Sequence, residues 1–262
     1  MKKPVIFSLA ILMSCSFAMV SCKHDKDKLF PAKNSCRLDS IIYRYSDFSY
    51  TEGYAYYPNG KLKQHVSNPA QASEYSYEGN LVTESISTDR FPATHKITYE
   101  LDAKKLAKKS YSFFSDEASN VAYDTTFYTF NTAGYLTKKV LKRTVKNFEQ
   151  TTIANIETVT SYSIVSGNTT EELTKTTTNP GNFTSEQVSA SYEFYSDKIR
   201  KEDSSQPFWL GKGNTNLVKT AFKHEADFEA TTTEYTYEMN AKGYVSKATA
   251  NGIPLTYYYT CQ

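Results

Sequence analysis

Two hydrophobic patterns divide this chain. Residues 1–22 carry a mostly apolar run, Val5 to Val20, behind Lys2 and Lys3. From Cys36 onward, apolar and polar positions alternate with a period of two, the spacing that sets every second side chain on one face of a β-strand. The alternating segments are short and interrupted by Asn, Asp and Gly. They predict strands joined by tight turns.

These segments repeat. Tyr54-Ala-Tyr-Tyr-Pro-Asn-Gly-Lys-Leu-Lys, Tyr75-Ser-Tyr-Glu-Gly-Asn-Leu-Val, Thr98-Tyr-Glu-Leu-Asp-Ala-Lys-Lys-Leu-Ala-Lys, Tyr128-Thr-Phe-Asn-Thr-Ala-Gly-Tyr-Leu-Thr-Lys, Tyr192-Glu-Phe-Tyr-Ser-Asp-Lys-Ile-Arg and Thr236-Tyr-Glu-Met-Asn-Ala-Lys-Gly-Tyr-Val-Ser-Lys follow one plan, with a weaker copy at Tyr162-Ser-Ile-Val-Ser-Gly-Asn. Each places aromatics at alternate positions, then a turn, then an alternating strand that carries Lys. This is the grammar of a β-hairpin, and Asn59-Gly60 and Asn251-Gly252 are strong local turn signals. Leu101 to Lys109 reads as helix on intrinsic propensity. It aligns with Met239 to Lys247, however, so the repeat predicts a hairpin there, with Lys105 where the other copy has Gly243 and therefore strained or in a different turn type.

The first segment reads as an export signal. Its apolar run is too short for a stable span, which takes about 20 apolar residues, and charge begins at Lys23. Met19-Val20-Ser21-Cys22 resembles the end of a bacterial lipoprotein signal, with Ser14-Cys15 as an alternative cleavage position. The resemblance implies removal of residues 1–21, lipid on Cys22 and an outer-membrane lipoprotein on the periplasmic face or cell surface. Residues 22–35 read as a flexible charged tether, in which His24 beside Asp25 and Asp27 is spacer rather than metal site, and 36–262 as the hairpin-repeat domain.

Composition narrows the partners. Of 30 Lys and Arg against 28 Asp and Glu, Lys2 and Lys3 leave with the signal, so the mature chain is close to neutral. That argues against nucleic acid or a strongly anionic surface as its main partner. Aromatics reach 15% with 22 Tyr, which favours strands. Cys15 leaves with the signal and Cys22 takes lipid. Cys36 and Cys261 remain, either as a disulfide joining the ends of the domain or as two unpaired thiols.

The fold expected is an all-β antiparallel up-and-down meander, closed or nearly closed into a soluble barrel, with an open curled sheet or a sandwich as alternatives. A disulfide between Cys36 and Cys261 would require closure. In a transmembrane barrel one strand face must be apolar. Between Tyr135 and Val145 one face carries Lys139 and Arg143 and the other Lys138 and Lys142, which predicts a sheet in water.

Candidate chemistry is sparse. His65, His95 and His224 lack a second ligand at metal spacing. No nucleophile elbow is present, and Glu171 and Glu172 point to opposite faces of a strand. Gly211-Lys212-Gly213 lacks the remaining residues of a phosphate loop. Neither a cofactor nor a catalytic residue is expected. Between Asp203 and Asp227 the alternation lapses into a long connection holding the only tryptophan, Trp209. With Phe208 it is either a ligand-stacking pair or a plug at one end of the sheet.

The lipoprotein signal, the Tyr-x-Tyr hairpins, the segment Leu210-Gly-Lys-Gly-Asn-Thr-Asn-Leu-Val-Lys and the closing Tyr235-x-Tyr, Gly243-Tyr-Val and Tyr257-Tyr-Tyr resemble a family of uncharacterised Bacteroidota envelope lipoproteins with a porin-like fold. The resemblance covers most of residues 36–262 and implies fold and address, with no activity attached. The functional expectation is a membrane-tethered, non-catalytic binding module for a glycan, an apolar ligand or an envelope protein. The alternatives are a purely structural envelope component and a glycan-active hydrolase. A binding module of this kind predicts a solvent-facing Trp209 and a tyrosine-lined concave face.

Overall fold

The computed structural model describes residues 36–68, 71–88, 91–115, 121–147, 149–179, 183–201, 207–224 and 229–261. The signal segment, Cys22, His24 and the tether lie outside the described residues.

The described strands run as one antiparallel meander. They are β1 (Cys36–Arg44), β2 (Ser49–Tyr56), β3 (Leu62–Asn68), β4 (Gln71–Glu78), β5 (Leu81–Thr88), β6 (Phe91–Leu101), β7 (Ala107–Ser115) and β8 (Val121–Phe130). The second half comprises β9 (Leu136–Lys146), β10 (Thr152–Val165), β11 (Asn168–Asn179), β12 (Phe183–Ile199), β13 (Asn216–Lys223), β14 (Thr231–Met239), β15 (Val245–Ala250) and β16 (Ile253–Cys261). Every strand pairs with its sequence neighbours, and β1 pairs with β16, which closes the barrel and leaves no free edge. Cys36 and Cys261 are register partners in that seam and are joined as a disulfide, their Cα atoms 4.0 Å apart.

The turns explain why the meander forms. In five of those described an Asn or Asp side chain accepts backbone N–H groups further along the turn: Asn59 from Lys61, Asp102 from Lys104 and Leu106, Asn131 from Tyr135, Asn147 from Thr151, and Asn240 from Lys242 and Tyr244. This local bonding substitutes for the ladder where the chain reverses. The fourth residue of the turn must then take positive φ. Gly134 and Gly243 do so freely, and Lys105 does so at φ 63°, as the repeat requires.

Two expectations are corrected. Tyr192 to Arg200 is not a hairpin: β12 continues to Ile199, because Ser196-Asp197 supplies no positive-φ residue and the backbone stays extended. The long connection also ends earlier than its composition suggests, since Asn216–Lys223 is strand β13, with Leu217 and Val218 buried.

Alternation sorts the side chains. Tyr43, Tyr75, Tyr99, Tyr235 and Tyr257 point into the barrel and are buried, while Glu74, Glu78, Lys138, Lys142 and Glu238 face out and are exposed. One interior cluster joins Leu38, Ile41 and Tyr43 of β1 with Tyr235, Ala248 and Leu255 of β14 to β16. A second joins Leu62, Tyr75, Val82 and Tyr99 with Trp209. Burying each large side chain contributes about 1.5 to 3 kcal/mol.

Candidate ligand-binding site

Residues 207–215, the described part of the connection from β12 to β13, lie over one end of the barrel. A single 3₁₀ turn, Phe208–Leu210, carries Trp209 inward, where it is 1% exposed. Its indole lies against Tyr75, Tyr77 and Tyr99, with ring centroids 5.6, 5.9 and 5.7 Å away. The indole N–H meets no acceptor among the described residues, so the indole is held by packing against these rings and the apolar side chains of the same cluster. Of the two readings of the pair, the structure shows the plug, and the solvent-facing tryptophan that a stacking site predicts is not present. Trp209 plugs the barrel end, and Phe208 and Leu210 on either side of it are partly exposed.

Backbone contacts fix the plug on its far side. Lys212 N–H donates to Gly134 O at 2.9 Å and Thr215 N–H to Gly167 O at 2.9 Å. The Asn214 side chain accepts from Thr169 N–H, and Asn168 and Asn216 bond reciprocally. Gly211 is required where the plug passes β8: a Cβ there would come within 2.6 Å of the Phe130 ring and 2.8 Å of Gly134 O. Where Phe208 meets the turns, Tyr77 and Leu101 floor a small cleft flanked by the Lys61 and Lys105 side chains.

The tyrosines are largely committed to structure. Tyr56, Tyr57, Tyr77 and Tyr195 donate to backbone carbonyls of Leu38, Tyr75, Leu62 and Tyr235. Tyr75 and Tyr99 donate to the two carboxylate oxygens of Glu84, at 3.1 and 3.0 Å. Burial drives the Tyr75 and Tyr99 phenols well above their ordinary range, and the Glu84 charge adds to this. Tyr54 donates to Glu52 and stacks on His65, whose Nε2 stands 3.8 Å from Glu52, beyond hydrogen-bond reach. The rings thus build the core instead of lining an open face. His65 and His95 are half-buried strand residues, and His224 is exposed.

The inner wall formed by β8 to β11 differs. Thr126, Leu141, Arg143, Thr158, Thr174 and Thr176 face inward yet are only half-buried. Thr158 and Thr176 hydroxyls lie 3.1 Å apart, and Thr160 and Thr174 hydroxyls 3.2 Å apart. Arg143 forks onto Asp124 through two bonds of 2.8 and 2.7 Å, which holds its charge more firmly. On β11, Glu172 faces inward and Glu171 outward. Burial raises the Glu172 carboxyl above the usual range, against the opposing pull of Lys139 and Lys223. Composition gave no sign of this polar wall, because cations occupy both faces of β9 and only closure decides which face is inside.

No family model and no curated protein matches the chain. Solved structures do share its fold. A porin-like protein from Bacteroides vulgatus aligns with a TM-score of 0.60 at 12% identity, over 86% of this chain and 99% of its own. A second, from Bacteroides uniformis, aligns with a TM-score of 0.54 at 17% identity, over 89% of this chain and 98% of its own.

Proposed function

We propose that this protein is a lipid-anchored envelope barrel that binds a hydroxylated ligand of the oligosaccharide class, without catalysis, on the inner wall of β8 to β11. The observation that carries this reading is the division of the interior. Rings fill one side, whereas the other presents half-exposed threonine hydroxyls beside the Arg143–Asp124 fork. Paired hydroxyls and a planar charged fork offer donors and acceptors at fixed spacing, which is what a sugar's hydroxyls require.

Water is the solvent on the outside. Lys142 points outward at the middle of β9 and Lys138 outward near its start, and a lysine at a bilayer midplane would cost about 2 to 4 kcal/mol. Attachment through Cys22 accounts for membrane association without a span. The porin-like neighbours support an envelope address. Two interior carboxylates are already engaged, Glu84 by two tyrosines and Asp124 by Arg143, which weighs against either as a catalytic acid or base.

A structural envelope role is the second reading, favoured by tyrosine hydroxyls spent on backbone carbonyls. Melting the mature chain with maltoheptaose and with chitohexaose separates the two. Binding at the wall predicts a raised Tm that Thr174→Val and Arg143→Ala abolish. A melting point unmoved by either sugar in the wild-type protein supports the structural role. Palmitate incorporation lost in Cys22→Ala tests the anchor.

A further inference from the structure

We infer that the outer face of β7 to β9 is a docking surface for an anionic phospholipid bilayer, against which the barrel lies on its side. Tyr111, Phe113, Tyr123 and Phe127 occupy neighbouring outward positions of β7 and β8 and are 37, 51, 42 and 41% exposed. Phe113 and Tyr123 meet edge to face with centroids 5.4 Å apart. A contiguous exposed aromatic patch of this kind marks an interaction surface.

Cations are interleaved with these rings. Lys109 Nζ lies 4.3 Å from the Tyr111 centroid and 5.4 Å from that of Phe127, and Lys146 Nζ lies 5.5 Å from Tyr123. Lys138 and Lys142 of β9 extend the stripe, both exposed. Glu157 offsets Lys142 at 3.4 Å and Glu100 stands opposite Lys109, which leaves the stripe basic. Other parts of the outer wall carry exposed carboxylates, Glu74 and Glu78 on β4 and Glu234 on β14, while Glu238 is paired with Lys247 at 2.9 Å. The chain is nearly neutral as a whole, so sorting of charge over the surface, not its total, supplies the attraction.

A bilayer surface fits both halves of this pattern. Tyrosine and phenylalanine rings settle at headgroup depth, lysine stems lie along them, and the ammonium groups reach the phosphates of acidic lipids. A second copy fits poorly, because a two-fold contact would set like-charged stripes against each other. The stripe lies across the barrel from β1, where the tether joins. Sixteen strands spaced about 4.8 Å apart and tilted about 40° give a barrel roughly 30 Å across. The tether from Cys22 to Cys36, about 14 residues, reaches roughly 50 Å when extended. Lipid on Cys22 and a side-lying barrel are therefore compatible. This use of the tether rests on the anchored reading, whereas the stripe itself does not.

The test is co-sedimentation of the mature chain, residues 22–262 carrying Cys22→Ser, with vesicles of phosphatidylethanolamine and phosphatidylglycerol or of phosphatidylcholine alone. The expected result is partition onto the phosphatidylglycerol vesicles, weakened by salt. Lys138→Glu with Lys146→Glu should lower it roughly tenfold, and Phe113→Ser with Tyr123→Ser should lower it at every salt concentration. Glu74→Gln with Glu78→Gln on β4 should not lower it. Far-UV circular dichroism of each variant verifies the barrel. Three outcomes overturn the inference: no partition of the parent chain, equal partition of the stripe variants, or a dimer in solution that the same substitutions dissolve. The unlipidated chain is used throughout, so the result stands apart from palmitate labelling at Cys22, and either reading can fail alone.

Discussion

Cys36 and Cys261, 225 positions apart, face each other across the β1–β16 seam and share a disulfide. The bond ties the first described strand to the last at the point where closure is decided. Around it Tyr244 Oη accepts the Cys36 N–H, and Tyr244 packs on Tyr259. Cross-linking so long a loop removes conformational freedom chiefly from the unfolded chain. In the chain-entropy model this is worth roughly 5 kcal/mol. Cys36→Ala with Cys261→Ala should therefore lower the urea midpoint strongly while the β signature persists below it. An unchanged midpoint in the double variant, with the parent verified as oxidised, would show that the ladder alone closes the barrel.

Trp209 is the plug's anchor, and its packing makes a graded prediction. Trp209→Ala removes the ring that Tyr75, Tyr77 and Tyr99 surround, at a cost of about 3 to 5 kcal/mol. Trp209→Phe keeps most of the apolar volume and loses no hydrogen bond, since the indole N–H has no acceptor among the described residues. It should be much milder. Chemical denaturation of the three proteins checks the ranking, and comparable losses in Phe and Ala would contradict this packing account.

Much of this architecture was legible in local chemistry. Asn251-Gly252 and Gly243 announced turns because positive φ is a property of a residue and its neighbours, and Tyr54, Tyr75 and Tyr235 announced an inward face because a strand's period is fixed. What was not legible depends on contacts between distant segments. Asp197 resembled a turn residue, yet β12 runs through it. Asn216 to Lys223 looked like loop because its alternation is short and follows a glycine-rich run. For Trp209 the sequence favoured a plug over a stacking platform without excluding either, and the packing against Tyr75, Tyr77 and Tyr99, with the segment's bonds to Gly134 and Gly167, settles it as the plug. Likewise Lys138 and Lys139 are indistinguishable in composition, and barrel closure alone sends one outside and the other toward Glu172.

Lys105 carries the strain that its repeat implies. At φ 63° it adopts the left-handed region that Gly134 and Gly243 occupy in sister turns. A non-glycine residue there costs about 1 to 2 kcal/mol, part of which glycine returns through the greater freedom of the unfolded chain. The exposed contact of its ammonium with Asn80 is a small offset. Lys105→Gly should therefore stabilise the barrel by about 1 kcal/mol and Gly243→Ala should destabilise it by a similar amount. Opposite shifts in denaturation midpoint are the expected outcome, and a destabilised Lys105→Gly would mean that the lysine side chain matters more than its backbone.

The buried phenols make stability depend on alkaline pH. Burial, first among the causes, raises the Tyr43, Tyr75, Tyr99 and Tyr237 pKa values well above the ordinary value near 10, and neighbouring charges or phenols add to it. In the unfolded chain the same groups ionise near pH 10. Above that pH the folded state holds more protons than the unfolded one, so stability is fully present below about pH 10 and falls as pH rises beyond it. Ultraviolet titration of tyrosinate, followed together with far-UV circular dichroism, should show the buried set ionising only as the strand signal collapses. If all 22 tyrosines ionised near pH 10 with the barrel intact, the rings could not be enclosed as described, and the division between a ring-filled side and a polar wall would fall with them.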